Sequence, residues 1–230
     1  MKRTERRLIA AANALILAIS ACVYALLVSP ISVTALAAVT HGAAYRGTDR
    51  SCAAFRIPVY WEAESMDRIL SELERDGVFV TFAFTPETVG EQPTLLYRVA
   101  HAGHGVELTL ENSAFTGRDA PKALSDAADT VERITGERPR FFYAGAEGER
   151  FIRAAGRLGM SPVSTTYDLG SQFASAALLE KRLASCVEPG AVYTVQPTAS
   201  FAEALPFLID LIKNMGLDIV PIHKMLYNRA

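Results

Sequence analysis

Short β-type runs that alternate with amphipathic helical stretches constrain the fold of this chain most strongly. In the stretch 65–76, Met66, Ile69, Leu70 and Leu73 recur three and four positions apart, and a similar apolar pattern spans 200–215. Candidate strands recur at about the length of one β/α unit. The strand candidates are 54–60, 78–84, 104–110, 139–143, 161–167, 190–196 and 217–222.

Strands separated by helices in this way predict a parallel sheet, because each parallel connection needs a crossover that a helix usually provides. Closure into a (β/α)7 barrel fits the order better than an open sheet, although periodicity alone does not distinguish the two. The predicted fold class is therefore an α/β barrel over residues 54–228. In such barrels the functional side chains lie at the C-terminal ends of the strands, and we expect any site there.

The N-terminus separates into a basic tail and a long apolar run. Residues 1–7 are basic, and residues 8–28 are apolar except for Asn13 and Ser20. A helix of this length can cross a hydrocarbon core of about 30 Å. Because basic flanks stay in the cytoplasm, we expect a single-pass cell-membrane anchor with an extracytoplasmic domain, and residues 29–53 as a linker.

Two other interpretations of this N-terminus remain open. Ala35-Leu36-Ala37 resembles the cleavage site of a signal peptide, but it lies well past an apolar run that is already long for such a peptide. Ile19-Ser20-Ala21-Cys22 resembles a lipoprotein box, but the apolar run continues beyond the cysteine. The uncleaved anchor is therefore the preferred prediction.

Charge and cysteine content exclude some classes of partner. The net charge is -2 at pH 7, and the part after the basic N-terminus is more acidic still, whereas nucleic-acid binding needs a basic face. No Cys/His spacing resembles a zinc module. Cys52 and Cys186 could form a disulfide outside the cell, but two buried free thiols are the preferred prediction.

Several segments, taken in order, resemble one enzyme family. They are VTFAF (80–84), PTLLYRVAHAGHGVELT (93–109), ITGERPRFF (134–142), AAGRLGM (154–160) and the closing stretch 190–226. Their order and spacing resemble the polysaccharide deacetylases, or NodB homology domains. The opening segment YRGTDRSCAAFRIPVYWE is most similar to the sporulation-associated branch, where Trp61 would match a tryptophan of the first motif.

The resemblance implies a metal-dependent deacetylase site whose residues are mostly replaced here. In the family, a carboxylate and two histidines hold a divalent metal that activates water, while an aspartate and a late histidine transfer protons. The lost positions fall on Pro58 and Val59 (first-motif carboxylates), Thr109 and Ser113 (histidine pair) and Gln196 (late histidine). Asp168 alone matches a family aspartate. The resemblance therefore predicts an inactive homologue with no metal and no other cofactor.

Other residues near the strand ends are candidates for binding a glycan. The proposed ligand-binding set is Trp61, Glu111, Tyr143, Tyr167 and Gln196. Trp61 could stack on a sugar ring or, alternatively, cover the top of the barrel. For Asp168, a capping or loop-ordering role is preferred over catalysis.

Carboxylates could also replace the lost metal ligands, because Glu62, Glu107 and Glu111 lie near those positions in the sequence. We interpret Glu107 and Glu111 instead as solvated side chains at a strand end and in a loop. No two of the four histidines, His41, His101, His104 and His223, stand at a ligand spacing on one strand end.

Three functions are compatible with these observations. The preferred one is a membrane-anchored, non-catalytic homologue that binds peptidoglycan, a chitin-like glycan or an envelope protein during cell-envelope or spore assembly. The second is an active carbohydrate deacetylase, a hydrolase of non-peptide C–N bonds, with a rearranged site. The third is a structural membrane partner without an open cleft at the strand ends.

Overall fold

The computed structural model describes residues 16–20, 31–32, 46–60, 65–115, 117–143, 145, 149–170 and 174–227. Its strands are β1 (Ile31–Ser32), β2 (Cys52–Val59), β3 (Thr81–Phe84), β4 (Gly105–Thr109), β5 (Phe141–Tyr143), β6 (Ser161–Val163), β7 (Tyr167–Asp168), β8 (Val192–Thr194) and β9 (Asp218–Ile219). Its helices are α1 (Met66–Arg75), α2 (Pro86–Glu91), α3 (Pro93–His101), α4 (Ala120–Thr135), α5 (Glu149–Arg157), α6 (Ala176–Ala184), α7 (Ala199–Asn214) and α8 (Ile222–Tyr227).

The strands form one sheet in the order β1-β7-β8-β2-β3-β4-β5-β6, and β9 pairs with the start of β2. All of these pairings are parallel except that of β1 with β7. The predicted parallel α/β architecture is therefore confirmed, and every predicted strand run contains a strand. The run 161–167 contains two, because the chain leaves its β5 neighbour after β6 and joins β8 as β7.

Side chains of β2 alternate between two apolar layers, as the period of a strand requires. Phe55, Ile57 and Val59 belong to the large core that the helices cover, and the ring of Phe55 lies 6.3 Å from that of Phe201 on α7. Cys52 and Ala54 belong to a second cluster on the opposite face, closed by Ile222 and Met225 of α8. Residues of even number in β2 thus face the interior of the curved sheet.

The two helices predicted from periodicity are present within one residue of their predicted ends. In α1, Met66, Ile69 and Leu73 are buried, and the helix turns its polar side to solvent. The helix α7 begins where the Thr198 hydroxyl accepts a hydrogen bond from the Phe201 N–H at 3.2 Å. Such N-capping satisfies one of the backbone donors left free at a helix start.

The two buried cysteines lie on different faces of the sheet. Cys52 lies in the interior cluster and Cys186 in the helix-covered core, and both are free thiols. Burial raises the pKa of Cys52 to about 11 and that of Cys186 to about 12. Both thiols are therefore protonated at neutral pH and unreactive.

The predicted linker 29–53 contributes to the sheet. Ile31–Ser32 pair with β7, and Arg46 forms an isolated bridge with Ala191. Of the predicted anchor 8–28, only the helical residues 16–20 are described. Within the described part of the chain, no helix combines the length and the apolar character that crossing a membrane requires.

Candidate functional site

The C-terminal ends of the parallel strands meet at one edge of the sheet, which we call the mouth. It is formed by Tyr60 after β2, Thr109–Glu111 at the end of β4, Tyr143 of β5, Asp168 of β7 and Gln196 after β8. Parallel sheets gather polar side chains at this edge, and ligands commonly bind there.

A buried ion pair lies inside the sheet directly below the mouth. The Arg56 Nε–H donates to Glu107 Oε1, and neither side chain is exposed to solvent. Burial alone would lower the pKa of Arg56, but Glu107 raises it; burial raises the pKa of Glu107, and Arg56 opposes that rise. Each charge therefore compensates the other, as a buried charge requires.

The Arg56 guanidinium also reaches the side chains of the mouth itself. Its Cζ lies 3.7 Å from the centre of the Tyr143 ring, and its Nη1 lies 3.8 Å from Glu111 Oε2. The Tyr60 hydroxyl donates to the same Glu111 oxygen. Burial raises the pKa of Tyr60 and of Tyr143, so both phenols are protonated at neutral pH. One cation is thus surrounded by two carboxylates and an aromatic face.

Asp168 lies on the same side of the mouth and is electrostatically coupled to Glu111 and Arg56. Its Oδ1 accepts the Gly170 N–H at 3.0 Å, which fixes the turn after β7. Burial raises the pKa of Asp168, and the charge of Glu111 adds to that rise. The neighbouring backbone is held by Arg182, whose Nη1 donates to the Leu169 carbonyl at 2.7 Å.

Several polar atoms inside the sheet have no hydrogen-bond partner within the described part of the chain. They are Arg56 Nη1 and Nη2, Glu107 Oε2, Thr194 Oγ1 and Gln196 Oε1. Arg56 and Thr194 stand opposite each other in the β2–β8 ladder. Because buried polar groups are nearly always paired, this group marks a place where water or a polar ligand group fits.

The predicted site residues do not all meet at the mouth. Thr109 is fully buried, and its Oγ1 accepts the Glu111 N–H at 3.0 Å. Ser113 points instead to Glu87, whose carboxylate accepts its hydroxyl at 2.8 Å. Burial would raise the pKa of Glu87, but this bond and nearby backbone N–H groups hold it below its usual range. Pro58 is buried in β2, and Val59 packs into the helix-covered core.

Two sequence interpretations are wrong. Tyr167 does not line the mouth: it packs against the helix-covered core and stacks on Tyr193 at 5.9 Å, because strand alternation puts it on the face opposite Asp168. Glu107 is not solvated but fully buried, because its position in β4 turns inward to Arg56. Glu111 is partly exposed, with 35% of its side chain accessible.

The sequence interpretation also missed Arg56 and Tyr60. A charged residue in the middle of the apolar run 54–60 was the available signal, since such a residue must be paired when its strand is central. Trp61 and Glu62 lie outside the described residues.

The residues at the predicted ligand positions do not fit a divalent metal. Val59 is hydrocarbon and faces away, and the hydroxyls of Thr109 and Ser113 are engaged elsewhere. Zinc needs imidazole, thiolate or carboxylate donors that converge. Among the described residues, no three His, Cys, Asp or Glu side chains stand close enough together to hold an ion.

His104 and His223 lie at the end of the sheet opposite the mouth. The His104 Nδ1 accepts the Val80 N–H at 3.3 Å, and burial lowers the pKa of His104 to about 4. His104 and His223 line a cavity of about 430 Å³ between the starts of β4 and β5. This cavity is remote from the mouth and shares none of its residues.

Comparison with known proteins extends these observations. No family model matches the chain. A Bacillus subtilis protein, the uncharacterized protein YlxY, is 28% identical over 180 residues, which cover 75% of this chain and 56% of that protein. This chain thus spans little more than half the length of that relative.

Solved structures agree with the described fold. A pseudoenzyme of the CE4 family from Bacillus anthracis, BA3943, superimposes with a TM-score of 0.72 at 23% identity, covering 79% of this chain and 67% of that one. A mutant of BA3943 with restored enzymatic activity matches with the same TM-score. The Bc1960 peptidoglycan N-acetylglucosamine deacetylase gives a TM-score of 0.73 at 20% identity, covering 80% and 92%. The chain therefore has the fold of the CE4 polysaccharide deacetylases, as its motifs predicted.

Proposed function

We propose that this chain is a polysaccharide deacetylase-like protein that binds glycan at the mouth of its sheet without deacetylating it. The likeness to CE4 structures, one of them a pseudoenzyme, supports the deacetylase-like part of this proposal. The observation that carries the rest is the chemistry of the mouth. An Arg56–Glu107 pair and a Tyr60–Glu111 hydrogen bond lie at and below the mouth, while the positions that match the family's metal ligands hold Val59, Thr109 and Ser113.

The proton-transfer positions support the same conclusion. Pro58, at the position of the family base, has no proton to accept or give. Gln196, at the position of the late histidine, can donate a hydrogen bond to a carbonyl but cannot deliver a proton to a leaving amine. General acid–base catalysis contributes roughly 10² to 10⁴-fold for each such group. Loss of both is a large barrier to turnover, although such effects are seldom additive.

The same mouth retains groups that suit a carbohydrate. Glu111 presents a partly exposed carboxylate for sugar hydroxyls, and Tyr143 and Gln196 are partly exposed beside it. A peptidoglycan or a chitin-like glycan is the proposed ligand class, by analogy with the peptidoglycan deacetylase of the same fold. An envelope protein is the alternative partner.

We also propose that residues 8–28 anchor the protein in the cell membrane, with the folded domain outside and assembled as a seven-unit barrel. The length and apolar character of this segment support the anchor. After cell fractionation, the full chain should resist extraction by alkaline carbonate and dissolve only in detergent. Release by carbonate with an intact N-terminus would refute the anchor.

Glycan binding is tested by sedimentation of the full chain, in detergent, with insoluble peptidoglycan. Binding should fall at least tenfold in Glu111→Ala and stay unchanged in the control Glu91→Ala, since Glu91 is an exposed carboxylate on α2. A wild-type chain that binds neither peptidoglycan nor chitin would favour the structural membrane partner instead.

Activity is tested by acetate release from acetylated chitin oligomers and from peptidoglycan, with Zn²⁺, Co²⁺ or Mn²⁺ supplied. We expect no release above the control without protein, because neither a Lewis acid nor an activated water has a place at this mouth. The assay should include a CE4 deacetylase as the positive control.

One observation favours a second candidate, an active deacetylase with a rearranged site. The mouth holds the carboxyl groups of Glu111 and Asp168, and burial together with the charge of Glu111 raises the pKa of Asp168 above its ordinary value. Acetate release that is abolished by Glu111→Ala or Asp168→Ala would establish this candidate and overturn the non-catalytic proposal.

A further inference from the structure

The interior below the mouth already contains a cation. Arg56 is completely buried, contacts Glu107 through Nε, and places Nη1 3.8 Å from Glu111. A guanidinium is not deprotonated in proteins, so this positive charge is present at every physiological pH. Its position depends on covalent attachment to β2 and not on the supply of an ion.

The guanidinium lies between carboxylates that belong to different parts of the mouth. Glu107 projects from within β4, whereas Glu111 follows that strand and accepts the Tyr60 hydroxyl. Asp168 on β7 is electrostatically coupled to the same group. One or two carboxylates are the protein ligands with which hard divalent cations are often held, and a positive charge placed between Glu107 and Glu111 opposes such binding.

We propose that Arg56 is the resident cation of this mouth: its guanidinium occupies the space between Glu107 and Glu111 that a divalent ion would otherwise take, and so keeps such an ion out. The side chain therefore replaces a metal in organising the carboxylates. It does not replace a metal in chemistry, because a guanidinium carries no water to activate. This inference goes beyond glycan binding and does not depend on it.

Three features of the contact support the assignment. The ion pair has no solvent exposure, so the charges interact more strongly than they would in water. The Tyr143 ring covers the guanidinium at 3.7 Å and limits its movement. Nη1 lies 3.8 Å from Glu111 Oε2, so the guanidinium faces the second carboxylate as well as Glu107.

The test is a titration with Mn²⁺, without glycan, of three forms of the full chain in detergent: wild type, Arg56→Lys and Arg56→Met. Arg56→Met removes the charge and keeps an unbranched side chain, whereas Arg56→Lys keeps the charge. Calorimetry should give Mn²⁺ binding at least tenfold tighter for Arg56→Met than for the other two. In Arg56→Met/Glu107→Gln, which lacks one of the two carboxylates, this gain should be mostly lost.

Equal affinity in Arg56→Met and Arg56→Lys, whether both are weak or both are tight, would overturn the proposal, because charge would then not be the cause. Arg56→Met could also fail to fold, since it leaves Glu107 buried without a partner. In that case the variant is refolded with and without 1 mM Mn²⁺. Recovery only with Mn²⁺ supports the proposal, and no recovery with Mn²⁺ overturns it.

Discussion

The stability of the fold should depend on keeping both members of the Arg56–Glu107 pair or neither. In Glu107→Leu, a guanidinium with no solvent exposure loses the carboxylate bonded to its Nε. Breaking a buried pair in this way costs about 3–5 kcal/mol. The remaining contacts with Glu111 at 3.8 Å and with the Tyr143 ring place the expected loss at the lower end, about 3 kcal/mol.

The double variant Arg56→Met/Glu107→Leu leaves no unpaired charge and replaces the pair with apolar groups of similar volume. Its free energy of unfolding should lie within about 1 kcal/mol of the wild type. Urea denaturation of both single variants, Arg56→Met and Glu107→Leu, and of the double variant gives the coupling energy. As a matched control, Asp67→Ala breaks the exposed Arg98–Asp67 pair, at 2.7 Å, and should cost less than about 1 kcal/mol. A loss below about 1 kcal/mol in Glu107→Leu would refute the reasoning.

Two further predictions concern other parts of the fold. Burial lowers the pKa of His104 to about 4, so the unfolded chain binds this proton more readily than the folded chain does. The free energy of unfolding should therefore fall as the pH drops from about 6.5 to about 4, by at most about 3 kcal/mol. Denaturation curves of His104→Gln should show a weaker dependence on pH. Gly190→Ala should lower the free energy of unfolding by more than about 1 kcal/mol, because φ is +75° and a Cβ would stand 2.6 Å from the Gly47 carbonyl oxygen. The control Gly136→Ala, where φ is +79° but no atom lies within 4 Å of the added Cβ, should cost less. Equal losses in the two variants would contradict this prediction.

The parallel sheet was predictable because periodicity records the face that each residue turns to the core. The apolar spacing of 65–76 identified α1, and the alternation of strand runs with helical stretches indicated that the sheet is parallel. The break between β6 and β7 was not predictable, since a change of hydrogen-bonding neighbour leaves the side-chain pattern of 161–167 unchanged.

The mouth was predictable in location but not in chemistry. Residue-by-residue transfer of motif positions assumes that every position keeps its orientation, and Val59 and Ser113 show that it does not. The Arg56–Glu107 contact joins strands whose residues are far apart in the chain, and no local pattern states which charges meet. The one available signal was that β2 and β4, both central strands, each contain a charged residue, Arg56 and Glu107, of opposite sign.

The pairing of Ile31 with Asp168 limits how far this mouth can stand from a membrane. If residues 8–28 cross the bilayer as proposed, three peptide steps separate the end of the span from Ile31, and they reach at most about 11 Å. The mouth end of β7 would then be tethered beside the lipid headgroups. A ligand of the mouth would then have to bind close to the membrane surface.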